Sequence, residues 1–245
     1  MDFNYLFLMI FIPALFLILS LYLLTKLEKY PAPLPRSENP KKEYIEVVLY
    51  TLIVILYFTV DIFVIRRFNY SFYISLGFST IIFLLIPLIF TLYRDKWTSK
   101  DLGISSKVKS RWVVIVGITF YTLFGFKNTA TVEISWHLLL IYFYSNAFLE
   151  EFLFRGVIQS KLERAIGQKK AIVFQGILFM SVHIPVNTFI FFLDGNSLRF
   201  ISMFGFQLIN GIIFGLIFMK TRNIWISVIC HYLNNWFGAI ITLFL

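Results

Sequence analysis

Long apolar segments recur along this chain and leave little sequence for a soluble domain between them. Their approximate ranges are 3–24, 45–65, 71–93, 112–126, 135–158, 170–192, 200–219 and 224–245. A membrane-spanning helix needs about 20 mainly apolar residues, which most of these segments supply, although the fourth is short. The chain is 59% hydrophobic, against ~45–50% apolar residues in a typical soluble domain. The sequence therefore predicts an all-α, polytopic transmembrane helical bundle of about eight helices.

Positive charge alternates between the loops that join these segments. Of the 22 Lys and Arg residues, 17 lie in the odd-numbered loops, at 25–44, 94–111, 159–170 and 220–223, and four lie in the even-numbered loops. Because cytoplasmic loops carry the excess of Lys and Arg, the odd-numbered loops are predicted to be cytoplasmic and both termini to lie outside. The net charge of +9 is thus a topology signal, and we expect no nucleic-acid partner.

Ionisable side chains in the fifth segment are costly within a membrane and are functional candidates by default. Glu151 and Arg155 are four residues apart with the acid first, which is the favourable order for a helical ion pair. We therefore expect Arg155 to neutralise Glu151, either as a purely structural pair or as support for a site. Glu150 is rotated about 100° from Glu151 on a helix and is left to face another partner.

Three segments bring further polar groups to a similar depth. Counted from the nearest basic residue of the odd-numbered loops, Glu150 lies at about 16 Å, His183 at about 20 Å, His231 at about 14 Å and Asn235 at about 20 Å. A poorly hydrated carboxylate can act as a general base, and His and Asn can donate to a developing oxyanion. Together these groups predict water activation and hydrolysis of a peptide bond. Taken singly, each could instead make hydrogen bonds between helices.

Other polar positions in the segments are interpreted as structural. Asn210 with Gly211 and Gly215 indicates close helix packing, and Asp61 is expected near the membrane interface. Pro185 is expected to break or kink the sixth segment. The remaining side chains interpreted as packing or helix–helix contacts are Gln175, Gln207, Asn234 and Cys230.

The candidate residues lie in three motifs that resemble those of a known family. EEFLFRG at 150–156 matches the E-E-x-x-x-R motif of the CPBP intramembrane proteases, also called the CAAX protease and bacteriocin-processing, or Abi, family. FMSVH at 179–183 matches the F-x-x-x-H motif, and HYLNN at 231–235 matches the H-x-x-x-N motif. The resemblance divides the chain into N-terminal transmembrane helices at 1–94 and a catalytic transmembrane core at 95–245.

The resemblance implies a CAAX-protease-like intramembrane endopeptidase of the glutamic type. The first glutamate and the histidine of the second motif, Glu150 and His183, would activate water. The histidine and asparagine of the third motif, His231 and Asn235, would stabilise the oxyanion. The second glutamate and the arginine of the first motif would be the supporting ion pair described above.

A metal ion is the alternative to this mechanism. Glu150, His183 and His231 would be its ligands if one were present, because two histidines and a glutamate form a catalytic zinc set. The chain has no H-E-x-x-H motif, and the resemblance favours a metal-free glutamate mechanism. We therefore expect no cofactor and no metal.

The resemblance also implies the partners, which are the lipid bilayer and a membrane-associated peptide or protein substrate. A peptide pheromone, a bacteriocin or a lipidated protein would fit. A composition rich in Phe, Ile, Lys and Asn fits an AT-rich bacterium, so we expect a multi-pass protein of the bacterial cytoplasmic (plasma) membrane. The alternatives are a non-catalytic membrane immunity or regulatory protein of the same fold, and a small transporter with a buried ion relay.

Overall fold

The structure is a computed structural model that describes residues 12–27, 29–65, 72–125 and 135–242, and these residues contain helices and no strands. Helix α5, at 136–166, is continuous and includes two π-helical stretches, Phe143–Phe148 and Phe152–Gln159. The other helices are α1 Ile12–Lys26, α2 Pro40–Val60 with a π-helical extension Asp61–Ile65, α3 Phe72–Arg94, α4 Arg111–Gly125, α6 Gln168–Val182, α7 Ile184–Phe192, α8 Ser197–Thr221 and α9 Ile224–Thr242.

The described helices differ in whether they could cross a membrane. By length and composition α2, α3, α8 and α9 could do so, and α6 with α7 would form a fifth span if the bent pair counts as one. Among the described residues, α4 is apolar but shorter, and α1 continues a predicted segment that begins outside them. The all-α prediction is therefore confirmed, whereas the count of about eight spans is not.

The four basic loops meet at one end of the bundle. Lys42 of the first loop and Lys161 of the fifth both bind Asp95 of the third, at 2.9 and 2.6 Å. Arg222 of the seventh loop donates from both terminal guanidinium nitrogens to Glu163 of the fifth, each at 2.6 Å. The odd-numbered loops thus share one side of the molecule, as the charge pattern predicts. That this side faces the cytoplasm stays a prediction.

A cluster of charged side chains is buried at this loop end. The ammonium of Lys161, which is fully buried, lies 3.0 Å from Glu43, 2.8 Å from Glu46 and 2.6 Å from Asp95. Burial raises the pKa of the Asp95 carboxyl, but hydrogen bonds from Lys161 and two other cations outweigh burial and lower that pKa to about 2. Burial lowers the pKa of Lys161, and its carboxylate partners more than offset this and raise it. Asp95 and Lys161 therefore stay ionised near neutral pH, and the cluster ties α2 and the third loop to α5.

Helices α6 and α8 approach each other closely at two glycines. A Cβ atom on Gly211 would lie 3.0 Å from the Cα atom and 3.2 Å from the carbonyl oxygen of Gly176. Next to this contact, the hydroxyl of Tyr121 on α4 donates to Asn210 Oδ1 at 3.0 Å. The close packing predicted around Asn210 and Gly211 is confirmed.

Polar side chains also join other helices. Gln207 of α8 exchanges amide hydrogen bonds with Asn187 of α7, and Gln175 of α6 donates to a backbone carbonyl of α8. These contacts confirm the structural interpretation of both glutamines. Asp61 is buried against α3, where Ser75 donates to it at 2.5 Å, and its expected position near the membrane interface stays a prediction.

Replacing Gly211 by alanine is expected to lower the free energy of unfolding by about 1–3 kcal/mol, because the added methyl group must force two helix backbones apart. Gly205→Ala is the matched control on the same helix, since a Cβ there meets no atom within 4 Å. The control should be neutral or slightly stabilising, because alanine is the better helix former. Thermal unfolding in detergent measures both variants, and equal effects would contradict the close contact.

Candidate active site

The two adjacent glutamates of α5 face different surroundings. The side chain of Glu151 is completely buried, whereas that of Glu150 keeps 14% of its surface exposed. They occupy a short α-helical turn, Leu149–Glu151, between the two π-helical stretches of α5. A π-helical turn is rare and is often found at functional sites, where it changes which side chains a helix presents on one face.

Glu150 lies opposite His183. Its Oε2 atom is 3.9 Å from the Nε2 atom of His183, which is 17% exposed. His183 sits where α6 ends, and α7 leaves at an angle of 41°, so the kink predicted at Pro185 is confirmed. The Nδ1 atom of His183 lies 2.8 Å from the carbonyl oxygen of Phe179. A carbonyl can only accept, so Nδ1 carries a hydrogen and the neutral ring presents the Nε2 lone pair to Glu150.

Glu151 joins the first motif to the third. Its Oε1 atom lies 3.0 Å from Arg155 Nη1, which is the ion pair that their spacing predicts, and 2.8 Å from His231 Nδ1. The contact with His231 was not foreseen, because the depth argument placed His231 beside Glu150. The ring of His231 also stacks on Phe214 at 5.0 Å between centroids. Glu151 therefore fixes the orientation of His231 as well as neutralising Arg155.

Arg155 is held on several sides within the bundle. Its guanidinium carbon lies 4.5 Å from the ring centre of Phe179 and 5.3 Å from that of Phe214, which favours the cation through the ring faces. Its Nη2 atom donates to the carbonyl oxygen of Gly211 at 3.3 Å. The close approach of α8 to α6 at Gly211 therefore also positions a backbone acceptor for Arg155.

Asn235 lies one turn after His231 on α9 and is exposed. Asn234 donates from Nδ2 to the Oδ1 atom of Asn235 at 2.6 Å. This bond uses the acceptor of Asn235 and keeps its Nδ2 hydrogens for another acceptor. Among the described residues, no hydrogen bond joins Asn235 to Glu150, His183 or His231.

The described side chains do not fit a metal ion. Within 12–27, 29–65, 72–125 and 135–242, no three His, Cys, Asp or Glu side chains converge as metal ligands would. The zinc set considered from the sequence is instead split into two carboxylate–imidazole pairs, Glu150 with His183 and Glu151 with His231. We therefore derive no step through a metal.

Comparison with known protein families gives a match in the C-terminal half of the chain. The sequence model of the family described as type II CAAX prenyl endopeptidase Rce1-like matches residues 131–237. No curated protein and no solved structure shows significant similarity to the chain. The matched range contains all three motifs and lies within the predicted catalytic core, 95–245, whose boundaries stay a prediction. With its apolar helices, this match indicates an integral membrane protein of a protease family. Residues 131–237 are therefore similar to the Rce1-like type II CAAX prenyl endopeptidase family, in agreement with the resemblance of the three motifs to the CPBP/CAAX proteases.

Proposed function

We propose that this protein is an intramembrane endopeptidase of the glutamic type, which hydrolyses a peptide bond in a membrane-associated peptide or protein. The observation that carries the proposal is the pair formed by Glu150 and His183. Their facing atoms are 3.9 Å apart, and both side chains are partly exposed. The Glu151, Arg155 and His231 side chains beside it are buried and already bound to one another.

The Glu150–His183 pair is suited to holding one water molecule. A separation of 3.9 Å is too long for a direct hydrogen bond, and both facing atoms are acceptors when the imidazole is neutral. Glu150 Oε2 is buried and accepts no hydrogen bond within the described residues. A water between the two atoms would donate one hydrogen to each and direct its oxygen lone pairs away from them, towards a substrate carbonyl.

Glu150 would act as the base and then as the acid. It takes a proton from the water while the water oxygen bonds to the scissile carbonyl carbon, and negative charge collects on the carbonyl oxygen. When this intermediate collapses, the carbon–nitrogen bond breaks and the proton held by Glu150 passes to the leaving amine. A positioned acid–base group of this kind contributes typically about 10²- to 10⁴-fold to a rate.

His231 and Asn235 are the proposed oxyanion donors. Asn235 would donate from Nδ2, because Asn234 occupies its Oδ1 atom. His231 donates its Nδ1 hydrogen to Glu151 and therefore offers a second hydrogen, on Nε2, only as the imidazolium. Because the Glu151 carboxylate holds Nδ1, it fixes the direction in which Nε2 points, so we assign Glu151 a positioning role for His231 in addition to its pairing with Arg155.

The remaining features of the proposal concern substrate and location. Peptide pheromones, bacteriocins and lipidated proteins are membrane-associated chains of the right class, and the proposed location is a bacterial plasma membrane with the basic loops in the cytoplasm. An immunity role would follow if cleavage removes a bacteriocin. No cofactor is proposed.

The proposal is tested with the purified full-length chain in liposomes and a membrane-associated peptide that becomes fluorescent on cleavage. The wild-type chain should cleave this peptide, and Asn235→Ala should do so about 10²- to 10³-fold more slowly, as for removal of one oxyanion donor. Asn234→Ala is the comparison variant, because it removes only the hydrogen bond that orients the Asn235 amide and should slow cleavage less than Asn235→Ala does.

A chelator forms the second arm of this experiment. Activity of the wild-type chain should persist after metal removal, since the described side chains do not converge on a metal. Loss of activity that is restored by added zinc would overturn the glutamic mechanism. No cleavage of any membrane peptide by the wild-type chain would favour the non-catalytic alternative.

A further inference from the structure

A cavity opens at the end of the bundle where the basic loops meet. Its volume is about 360 Å³, and it lies between the first turns of α2 and the last turn of α3. Both helix ends belong to candidate membrane spans. The cavity is therefore placed at the boundary between the apolar layer and the aqueous phase. The residues that line it include Lys41, Lys42, Ile45, Glu46, Leu49 and Arg94.

The polar wall of this cavity is cationic. Lys41, Lys42 and Arg94 face a single carboxylate, Glu46, so the lining carries a net charge of +2. Glu46 is already held by Arg94 at 2.7 Å and by Lys161 at 2.8 Å. Lys41 is exposed and forms no ion pair with any described residue. Lys42 and Arg94 also bind Asp95, so the excess positive charge of the lining resides mainly on Lys41.

The lining becomes apolar further along α2, on the face that carries Lys41. Ile45 and Leu49 are one turn apart on α2 and are 50% and 51% exposed. The same helix exposes further apolar side chains beyond Leu49 towards the centre of the bilayer, among them Leu52 and Leu56. An occupant of this cavity therefore meets positive charge at one end and a continuous hydrocarbon surface below it.

We propose that the cavity binds an anionic glycerophospholipid, with its phosphate beside Lys41, Lys42 and Arg94 and one acyl chain along Ile45 and Leu49. Charge complementarity and the apolar wall together favour this occupant over a soluble anion. Membrane leaflets rich in anionic lipid attract clusters of Lys and Arg at their surface, and each such residue contributes measurably to binding. The proposal does not depend on the protease reaction.

The bound headgroup would touch the ion cluster that anchors α5. Lys42 and Arg94 both bind Asp95, which in turn binds the buried Lys161. Lys161 belongs to the same continuous helix as Glu150. A lipid phosphate at Lys42 and Arg94 would share these cations with Asp95, so lipid occupancy is coupled to the position of the helix that carries the first motif.

Native mass spectrometry of the full-length protein in detergent tests the proposal, with phosphatidylglycerol and phosphatidylcholine as probes. The wild-type chain should retain phosphatidylglycerol at least about fivefold more tightly than phosphatidylcholine, as expected when several basic residues contact one headgroup. Lys41→Glu should weaken retention of phosphatidylglycerol roughly tenfold. Ile45→Gln, which leaves the charge unchanged, should weaken retention of both lipids.

Lys169→Glu is the matched control, because Lys169 is exposed at the same end of the bundle and lies outside the cavity. It makes the same change in net charge and should alter retention less than about twofold. Equal losses in Lys41→Glu and Lys169→Glu would show diffuse attraction to the basic end and overturn the site. Equal retention of the two lipids by the wild-type chain would also overturn it. Full competition by soluble glycerol phosphate would assign the cavity to a free anion instead.

Discussion

A Glu150→Gln variant should cleave the membrane peptide about 10²- to 10⁴-fold more slowly than the wild-type chain and should unfold at nearly the same temperature. Glutamine has the shape of glutamate but cannot take a proton from water, so it removes the base and preserves the packing. Glu150 Oε2 accepts no hydrogen bond from the described residues and lies 3.9 Å from His183, so we expect the fold to depend little on the charge of Glu150.

The control for this variant is Glu38→Gln, which makes the same chemical change at an exposed position of the first loop. It should leave both the cleavage rate and the unfolding temperature unchanged. The decisive measurement is the single-turnover rate with saturating peptide, because it reports the chemical step. Wild-type turnover by Glu150→Gln would remove Glu150 from the mechanism, and loss of folding would assign it a structural role.

The sequence predicted well those features of the fold that depend on local pattern. The lengths of the apolar segments predict the helices. The distribution of Lys and Arg predicts that the basic loops lie at one end of the bundle. Pro185 marks the bend after His183, because its ring cannot continue a regular helix. The ion cluster could not be foreseen, since Lys161 and Glu43 are 118 residues apart and no local pattern connects them. The count of about eight spans is not confirmed, since four described helices, or five with the bent pair α6 and α7, are long and apolar enough to cross a membrane.

In the site, the sequence predicted the depth of the polar residues but not the direction in which each one faces. Spacing alone predicts the pair between Glu151 and Arg155, because both lie on one helix. Depth along the membrane normal brought His231 near the glutamates, but Glu150 and Glu151 differ in depth by only about 1.5 Å. The two glutamates differ in their rotational position on α5, and the one that meets His231 depends on the orientation of α9. Only tertiary packing determines that orientation. In the structure His231 therefore contacts Glu151, and His183 lies opposite Glu150.

An Arg155→Met variant should be destabilised by about 3–5 kcal/mol, which corresponds to a fall of roughly 6–20 °C in the unfolding temperature. Methionine keeps much of the volume of arginine but leaves the Glu151 carboxylate charged and buried. The variant also loses the hydrogen bond to the carbonyl of Gly211 and the contact of the guanidinium with Phe179. Arg111→Met, at an exposed position at the start of α4, is the matched control and should change stability little.

The double variant Glu151→Gln/Arg155→Met separates an uncompensated charge from lost packing. If the cost of Arg155→Met comes mainly from the unpaired carboxylate, the double variant should be more stable than Arg155→Met, because the amide oxygen can still accept from His231 Nδ1. The only cysteine, Cys230, is fully buried, so a thiol-reactive dye reports unfolding without an introduced probe. A double variant less stable than Arg155→Met would show that packing of Arg155 dominates. A double variant that recovers stability but not cleavage would show that the charge of Glu151 acts on His231 in the reaction.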